Sequence, residues 1–544
     1  MHRFLLLLFT GLHALMVSAV PAKRERCTLT LADGSTVEAT WMGDESAHFY
    51  LTDEGRCLLE DDRGIACFAD AEQLQQRWKA RNMKRQAARE RRAAAVRKKA
   101  GTPMKGSRRG LVILIQFPQT PFHFTHDDFR RFFNEEGYSD EVNYGSVHDY
   151  FLDASYGQFD FSFDIVGPVE LEYPLSHYGG NNSYGDDRLV GTMVAEAIGK
   201  VDQDVDFSQY DWDGDGEVEQ IFLIHSGYDE AQTRTSTDIW SHAWTLTEAG
   251  EEGDGEGSVT ADGVVIDGYA CSAELRGKSG SHISGIGTAC HEFAHCFGLP
   301  DMYDTAGYNF GMNSWDIMDY GEYNGDGGCP AGFTSYERMF CGWLDPVELT
   351  DAAIVGNMPA LTAMPVAYIL RNSGKEDEYY LLENRQQESW DADLGGHGLL
   401  VLHVDYDSLA WAENCVNIFR AHQRMTIIPA DNTLYSMTLA GDPWPGTSGK
   451  TELSDTSVPA ARLFNANAEG DLLMHHSITE ISETDDGYIC FVFDEERLDI
   501  KGTKSREDTS ERLQYPICNL AGQQVGKMEK PGLYILGSKK LLRQ

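Results

Sequence analysis

Residues 291–295, His-Glu-Phe-Ala-His, bring together side chains that bind a metal ion and activate water. Positions i and i+4 share one face of an α-helix, so His291 and His295 can bind one metal while Glu292 projects beside it. Gly298 is placed to end the helix in a left-handed turn, after which Asp301 can return to the same ion. Three protein ligands leave a fourth position for water. The spacing predicts a zinc centre of His291, His295 and Asp301.

The acid inside this pattern is the predicted general base. Zinc lowers the pKa of a bound water to about 7, and Glu292 would take its proton and pass it to the leaving group. Two histidines satisfied in a core are the alternative interpretation. In a chain of this composition the five-residue pattern is expected by chance roughly a few hundredths of a time, so we favour the metal centre.

The extended pattern H-E-x-x-H-x-x-G-x-x-D resembles the metzincin clan. It is most similar to the M6 (immune inhibitor A-like) metallopeptidases, in which Asp replaces the third His ligand. Residues 314–321 resemble a Met-turn, which implies that Met318 lies beneath the zinc. Tyr320 matches a Tyr found near the metal in some metzincins, and its hydroxyl is a candidate oxyanion donor. Simple packing after the turn is the alternative role for Tyr320.

The similarity to M6 peptidases extends over about Gly110 to Phe493. Segments that carry it are residues 146–151, 239–242 and 383–386. The resemblance implies a zincin or metzincin-like catalytic domain and a zinc-dependent endopeptidase that acts on proteins or peptides.

A second motif, D-W-D-G-D-G-E-V-E, has the spacing of a calcium loop. Alternating carboxylates converge on a hard cation, and Gly216 permits a sharp turn. Phe222 stands where an EF-hand has its last Glu, so the loop is a shorter type that M6 proteins often carry. An acidic turn without an ion is the alternative. The candidate Ca²⁺ ligands are Asp211, Asp213, Asp215, Glu217 and Glu219.

The chain begins with an apolar run, Phe4 to Val17, after a single early Arg3. Small residues follow, with cleavage expected after Ala19 or Ala22, as in an export signal. The run is shorter than the ~20 residues that span a bilayer, which disfavours a membrane anchor. We expect a protein that is secreted or on the cell surface. Export permits disulfides, although the spacing of the 11 cysteines does not give their pairing.

A basic segment precedes the catalytic region. Residues 77–109 contain 14 Lys or Arg and one acid, whereas the rest of the chain has 31 basic and 85 acidic residues. Residues 73–100 lack Gly and Pro, so we expect a helix there. The contrast favours a pro-segment that lies on an acidic enzyme and is cut between Lys98 and Arg109. A solvated linker is the alternative.

The organisation that follows is α+β, with a zincin-like catalytic domain and a β-rich C-terminal domain. Strands are expected at residues 111–115, 159–169 and 221–225, and helices at 146–154 and 189–200. The predicted segments are a signal peptide (1–22), a pro-segment (23–109), the catalytic domain (110–346), the β-rich domain (347–500) and a terminal unit (513–544).

The terminal unit resembles the last strands of the sorting tails used by type IX secretion in Bacteroidetes. This resemblance implies secretion machinery as a partner and a Bacteroidetes-like source, whereas a plain terminal hairpin is the alternative.

The net charge of −41 argues against nucleic acid as a partner, because phosphates would be repelled. A catalytically inactive, calcium-stabilised surface-binding protein of the same fold is the competing function. A hydrolase acting on other bonds is a third. The intact Glu292 disfavours the inactive protein, since a binder has no need of a base beside the metal.

Overall fold

The structure is a computed structural model. It describes residues 18–45, 48–61, 64–69, 104–182 and 186–495, and the backbone of four strands between 517 and 543. The apolar run at 4–17 and most of the basic segment, including the helix expected at 73–100, lie outside the described residues. Within the described ranges, no helix has both the length and the apolar character needed to cross a membrane.

The N-terminal part is a small β unit preceded by one short strand, β1 (Ser18–Ala19). Five strands close into a barrel. They are β2 (Arg26–Leu31), β3 (Thr36–Gly43), β4 (His48–Leu51), β5 (Cys57–Glu60) and β6 (Ile65–Ala69).

The catalytic region is built on a six-stranded sheet of order β1-β11-β14-β10-β7-β8. Strands β8, β7, β10 and β14 run parallel, and β11 is antiparallel to β14. The strands of this region are β7 (Gly106–Gln116), β8 (Phe159–Glu170), β9 (Glu217–Val218), β10 (Ile221–Tyr228), β11 (His242–Thr245), β12 (Val259–Ala261), β13 (Val264–Ile266) and β14 (Gly268–Leu275). Strands β9, β12 and β13 form a separate small sheet.

Helices flank this sheet. They are α1 (His126–Asn134), α2 (Val147–Ala154), α3 (Leu175–Tyr178), α4 (Val190–Val201), α5 (Glu230–Thr233), α6 (Leu246–Glu252), α7 (Ile286–Cys296) and α8 (Ser335–Phe340). A 3₁₀ segment, Tyr320–Gly327, lies against α7 and is kinked at Asn324.

The apolar run in β7 explains its central position. Val112 and Leu114 face one core cluster, while Leu111, Ile113 and Ile115 face the other. Side chains alternate across a strand, so a sheet covered on both faces requires a continuous apolar run.

The apolar residues from Ile283 to Cys290 predict a helix that starts at Ile283, whereas the helix that carries His291 and His295, α7, begins three residues later, at Ile286. Gly285 is its N-cap, and a Cβ there would lie 2.3 Å from the carbonyl oxygen of Gly327. A Cβ on Gly287 would lie 2.0 Å from the Glu322 carbonyl oxygen. The two glycines therefore allow the Tyr320–Gly327 segment to approach the helix closely.

The C-terminal region is β-rich. Its elements are β15 (Val347–Glu348), β16 (Ala353–Met358), β17 (Tyr368–Asn372), β18 (Lys375–Arg385), β19 (Gly398–Asp405), β20 (Met425–Ile427), β21 (Ile478–Glu483), β22 (Ile489–Phe493) and the short helix α9 (Ser408–Ala412). They make a five-stranded and a three-stranded sheet. Leu381 and Leu402 share one hydrophobic core with Phe293 and Trp343 of the catalytic region, so the two regions are packed together.

The terminal unit forms a four-stranded antiparallel sheet of order β24-β23-β25-β26. Its strands are β23 (Ile517–Asn519), β24 (Gln524–Val525), β25 (Gly532–Leu536) and β26 (Lys539–Arg543).

Candidate metal centre and active site

Three side chains from α7 and the turn that follows it meet at one point. The Nε2 atoms of His291 and His295 are 3.2 Å apart. Oδ1 of Asp301 is 3.2 Å from the first and 3.5 Å from the second. Tetrahedral zinc with bonds of about 2.0–2.1 Å places its ligands about 3.3–3.4 Å apart. The three residues therefore fit a zinc ion, as their spacing in the chain predicts.

Backbone carbonyls orient both imidazoles. Nδ1 of His291 lies 2.7 Å from the Ile317 oxygen, and Nδ1 of His295 lies 2.7 Å from the Leu299 oxygen. A ring that donates from Nδ1 keeps its Nε2 lone pair for a metal. Gly298, at φ +94°, makes the left-handed turn that the sequence predicts and leads to Leu299.

Asn414, from the β-rich region, holds the third ligand at two points. Its Nδ2 donates to Oδ2 of Asp301, and its Oδ1 accepts from the Asp301 backbone N–H at 2.8 Å. Oδ1 of Asp301 stays directed at the histidines. Sequence reasoning missed Asn414, because the contact spans 113 positions and no local pattern marks it.

Glu292 is fully buried, and neither of its carboxylate oxygens has a hydrogen-bond partner. Burial raises its pKa well above the usual range, and the charges of Asp301 and Glu322 add to the effect, while His291 opposes it. Buried carboxylates normally have partners. Two unpartnered oxygens beside three converging ligand atoms indicate a position for a water molecule and a cation.

Glu322 is a further buried acid near the centre. Burial raises its pKa to about 8, against the influence of His291. Burial alone would lower the pKa of His291, but Glu322 and Asp301 together raise it to about 10 in the metal-free chain. Sequence reasoning missed Glu322 although it lies two residues after Tyr320. The sequence does not show that this acid is fully buried, and burial is the feature that marks it.

The predicted Met-turn lies against the first ligand. Ile317 supplies the carbonyl that orients His291, and Met318 is fully buried in the same core cluster as Phe293. Tyr320 is close to the N-terminal chain, because the Arg24 guanidinium lies 3.5 Å from its ring centroid. Burial raises the pKa of the Tyr320 hydroxyl, which stays protonated and able to donate.

The chain before the barrel runs beside this site. β1 pairs antiparallel with β11, at the edge of the catalytic sheet. Trp240 Nε1 donates to the Val20 oxygen at 2.9 Å, and the Tyr323 hydroxyl donates to the Pro21 oxygen at 2.8 Å. Asp44, which follows β3, is buried, and its Oδ2 lies 3.4 Å from the Tyr303 hydroxyl.

The structure also brings the acidic loop together. Ligand atoms of Asp211, Asp213 and Asp215 lie within 4.8 Å of one another. Gly216, at φ +93°, makes the turn, and its N–H donates to Asp211 at 3.0 Å. Glu219 accepts from the Trp212 N–H at 2.7 Å and so closes the base of the loop. Glu217 begins β9 directly after the loop.

Residues 111–343 match the family model for the immune inhibitor A peptidase M6 catalytic domain. The matched region contains the three predicted metal ligands, the buried Glu292 and the predicted Met-turn. It is therefore similar to the catalytic domain of M6 metalloproteases.

Two kinds of curated relative are similar to this chain. Pre-pro-metalloprotease PrtV of Vibrio cholerae serotype O1 is 24% identical over 279 residues, which are 42% of this chain and 29% of PrtV. Immune inhibitor A of Bacillus thuringiensis subsp. alesti is 25% identical over 217 residues, 35% of this chain and 31% of the relative. The chain thus matches under a third of the length of these relatives.

Proposed function

We propose that this chain is a zinc-dependent endopeptidase with a zincin-like catalytic domain, and that it cleaves peptide bonds of proteins. The observation that carries the proposal is the convergence of His291, His295 and Asp301 beside the unpartnered carboxylate of Glu292. The Asp third ligand and the M6 match of the same region support it.

Zinc, when bound, would supply an activated water and polarise the scissile carbonyl. Glu292 would act as the general base that accepts the proton of the attacking water and as the acid that returns it to the leaving amine. The Tyr320 hydroxyl is the candidate donor to the developing oxyanion.

The experiment compares cleavage of an unfolded protein by the parent chain and by Glu292→Ala, with zinc measured in both. Each is used after a limited cut in the basic segment. We expect the variant to retain zinc and to lose about 10²–10⁴-fold in kcat/KM. Equal cleavage by the two forms would remove Glu292 from the mechanism. If both hold zinc and neither cleaves, the inactive binding protein becomes the better function.

We also propose that the N-terminal unit is a pro-segment that keeps the enzyme latent. Cleavage of the signal after Ala19 or Ala22 would remove β1, but Lys23 remains, and its N–H donates to the Ala231 oxygen of the catalytic region at 3.1 Å. Arg24 covers the Tyr320 ring. A bound substrate and this segment would compete for the same surface.

Latency is tested by cutting the full-length chain with a trypsin-like protease and following peptidase activity. β7 begins at Gly106, so the cut should fall between Lys98 and Lys105 to leave the strand intact. We expect activity to rise after the cut, and to rise further when the released segment is removed. Equal activity before and after complete cleavage would contradict latency.

The acidic loop is proposed to bind Ca²⁺ through Asp211, Asp213 and Asp215, with Glu217 and Glu219 completing the charge of the site. Three carboxylates within 4.8 Å repel one another unless a cation lies between them. Its role would be structural, since it joins the end of the Phe207–Tyr210 turn to β9.

Export and an extracellular location are proposed from the apolar N-terminal run. N-terminal sequencing of the exported protein should begin at Val20 or Lys23. An intact Met1 would contradict a cleaved signal. The terminal unit is proposed to engage secretion machinery, and deletion of residues 513–544 should then leave the protein inside the cell envelope.

A further inference from the structure

Residues 383–386, which carry part of the resemblance to M6 peptidases, lie at the end of β18 in the β-rich region. Arg385, the last residue of this strand, is fully buried. Arginine is almost never fully buried unless its charge is paired. A buried ion pair adds little stability compared with apolar side chains of the same volume. Stability alone therefore does not account for Arg385, and its contacts indicate what it does.

The guanidinium of Arg385 uses all five of its N–H groups. Nε and Nη2 donate to the two oxygens of Asp391 at 2.7 and 2.6 Å, and Nη1 donates to Oε1 of Glu383 at 3.1 Å. The other two bonds reach the catalytic region: Nη1 donates to the Trp315 oxygen at 3.1 Å, and Nη2 donates to the Gly332 oxygen at 3.2 Å. Because the donors of a guanidinium form a rigid planar fork, the two acids fix the directions of these two bonds.

The acids that hold the guanidinium are themselves attached to the catalytic region. Oδ1 of Asp391 accepts from the Gly332 N–H at 3.0 Å. Oε2 of Glu383 accepts from the Ser335 N–H at 2.6 Å, in the first turn of α8. These bonds keep Arg385 in a fixed position relative to the catalytic region.

The Trp315 oxygen that Arg385 holds belongs to the Met-turn. Two positions further on, the Ile317 oxygen accepts from Nδ1 of His291 at 2.7 Å. Between them lies Asp316, which is fully buried, and its Oδ1 accepts a hydrogen bond at 2.7 Å from the backbone N–H that follows Ile317. The turn is therefore held at its start by the guanidinium and closed by Asp316, and its middle carbonyl faces the first candidate metal ligand.

We propose that Arg385 is a positioning residue for the metal centre. Its guanidinium fixes the Trp315 carbonyl, and with it the turn whose Ile317 carbonyl sets the orientation of the His291 ring. A ring held through Nδ1 keeps its Nε2 directed at the metal. This inference rests on the zinc centre of the proposed function, but it concerns metal affinity and not cleavage. The β-rich region then supports the metal centre through Arg385 as well as through Asn414.

The experiment measures the zinc affinity of the full-length chain by competition with a chelator. It also records the visible spectrum of the cobalt-substituted chain, which reports the geometry of the ligands. One test variant is Arg385→Lys, whose single ammonium keeps the charge but cannot hold both acids and both carbonyls. The other is Arg385→Met/Glu383→Gln/Asp391→Asn, which removes the ion pairs together and leaves no unpaired charge among these three residues. We expect both variants to bind zinc about tenfold more weakly than the parent and to change the cobalt spectrum.

The matched control is Arg338→Lys. Arg338 is also buried, and it donates to the Phe333 oxygen at 2.8 Å and to the Ala154 oxygen at 2.6 Å, which lie outside the Met-turn. We expect this control to lower the Tm, while the zinc affinity and the cobalt spectrum remain those of the parent.

The proposal is overturned if the two Arg385 variants keep the parental zinc affinity and cobalt spectrum. It is also overturned if Arg338→Lys loses as much zinc affinity as they do, since affinity would then merely follow stability. Failure of both Arg385 variants to fold has the same consequence, because Arg385 would then serve folding and not the metal. A parent chain that binds no zinc would remove the metal centre itself, whereas a zinc-loaded parent that cleaves no protein would contradict only the proposed peptidase.

Discussion

Two groups of His and carboxylate side chains in this protein have similar spacing and different surroundings. The ligand atoms of His291, His295 and Asp301 lie within 4.8 Å of one another, and so do those of Glu469, Asp471 and His475. The first group is buried under α7, whereas the second lies on the surface of the β-rich region, with Glu469 exposed.

The ring nitrogens distinguish the two groups. In the buried group, backbone carbonyls accept hydrogen bonds from Nδ1 of both histidines, and both Nε2 atoms face the other candidate ligands. In the exposed group, the Asp455 carboxylate is hydrogen-bonded to Nδ1 of His475 at 2.7 Å, and the Asp471 carboxylate is hydrogen-bonded to Nε2 at 2.8 Å. Each nitrogen of His475 is already satisfied, and exposed ion pairs of this kind stabilise little. Proximity of ligand atoms alone therefore does not identify a metal centre; burial and unsatisfied atoms do.

The largest expected effect separates these groups directly. His295→Ala removes one of three ligands, so we expect loss of bound zinc and a fall in activity on the order of 10³-fold or more. His475→Ala should retain zinc and near-parental activity. Zinc analysis and kcat/KM on the two purified variants test this contrast. Zinc loss from His475→Ala would show that the surface group matters to the metal.

Asn414 tests whether the β-rich region serves the buried group. Asn414→Ala removes both hydrogen bonds that Asn414 makes to Asp301, one to its side chain and one to its backbone. Loss of such an orienting partner weakens metal affinity by about 10–100-fold. Asn432→Ala is the matched control, because both residues have positive φ, +49° and +64°. Competition with a metal chelator measures the affinity. Equal metal affinities in the two variants would mean that Asn414 does not contribute to the orientation of Asp301.

The acidic loop is intermediate between the two groups, with one half-buried and two exposed carboxylates. A cation at 100 times its Kd stabilises the folded state by about 2.7 kcal/mol. We expect calcium to raise the Tm of the parent and to raise that of Asp213→Asn/Asp215→Asn by less. An identical calcium response from Asp211→Asn, Asp213→Asn/Asp215→Asn and the parent would indicate an acidic turn without an ion.

The smallest effect is a pH dependence at the surface group. Hydrogen bonds to Asp455 and Asp471 raise the pKa of His475 above the unfolded value of about 6.5. Its stabilisation is therefore complete below about pH 6.5 and is lost as pH rises through the folded pKa. Titration of the His475 resonance by NMR should show this raised pKa, and Asp455→Asn should lower it. A midpoint at or below 6.5 in the parent would contradict the ion pairs.

Local patterns predicted most of the elements around the metal. The strand expected at Leu111–Ile115 lies within β7, and the helix expected at 146–154 is α2 with Ser146 as its N-cap. The start of α7 was less accurate, because Gly285 packs against Gly327 and the helix begins only after that contact. A contact across 42 positions of chain leaves no periodic signal in the sequence around it.

The sequence also suggested disulfides without giving their pairing, and none forms among the cysteines that the structure describes. Cys290 and Cys296 lie in the main core cluster. Each cysteine is next to a histidine in the sequence, and adjacent residues of a helix lie on different faces. The two thiols therefore lie away from the helix face that carries His291 and His295.

The amino-acid sequence by itself predicted which side chains converge as candidate metal ligands, and in which order, because helical spacing and the Gly298 turn are local geometry. Only the tertiary structure decided what surrounds them. Asn414 reaches Asp301 from the β-rich region, and Arg24 of the N-terminal unit lies over the ring of Tyr320. These contacts depend on how distant surfaces pack and exclude water, a property that no short stretch of sequence contains.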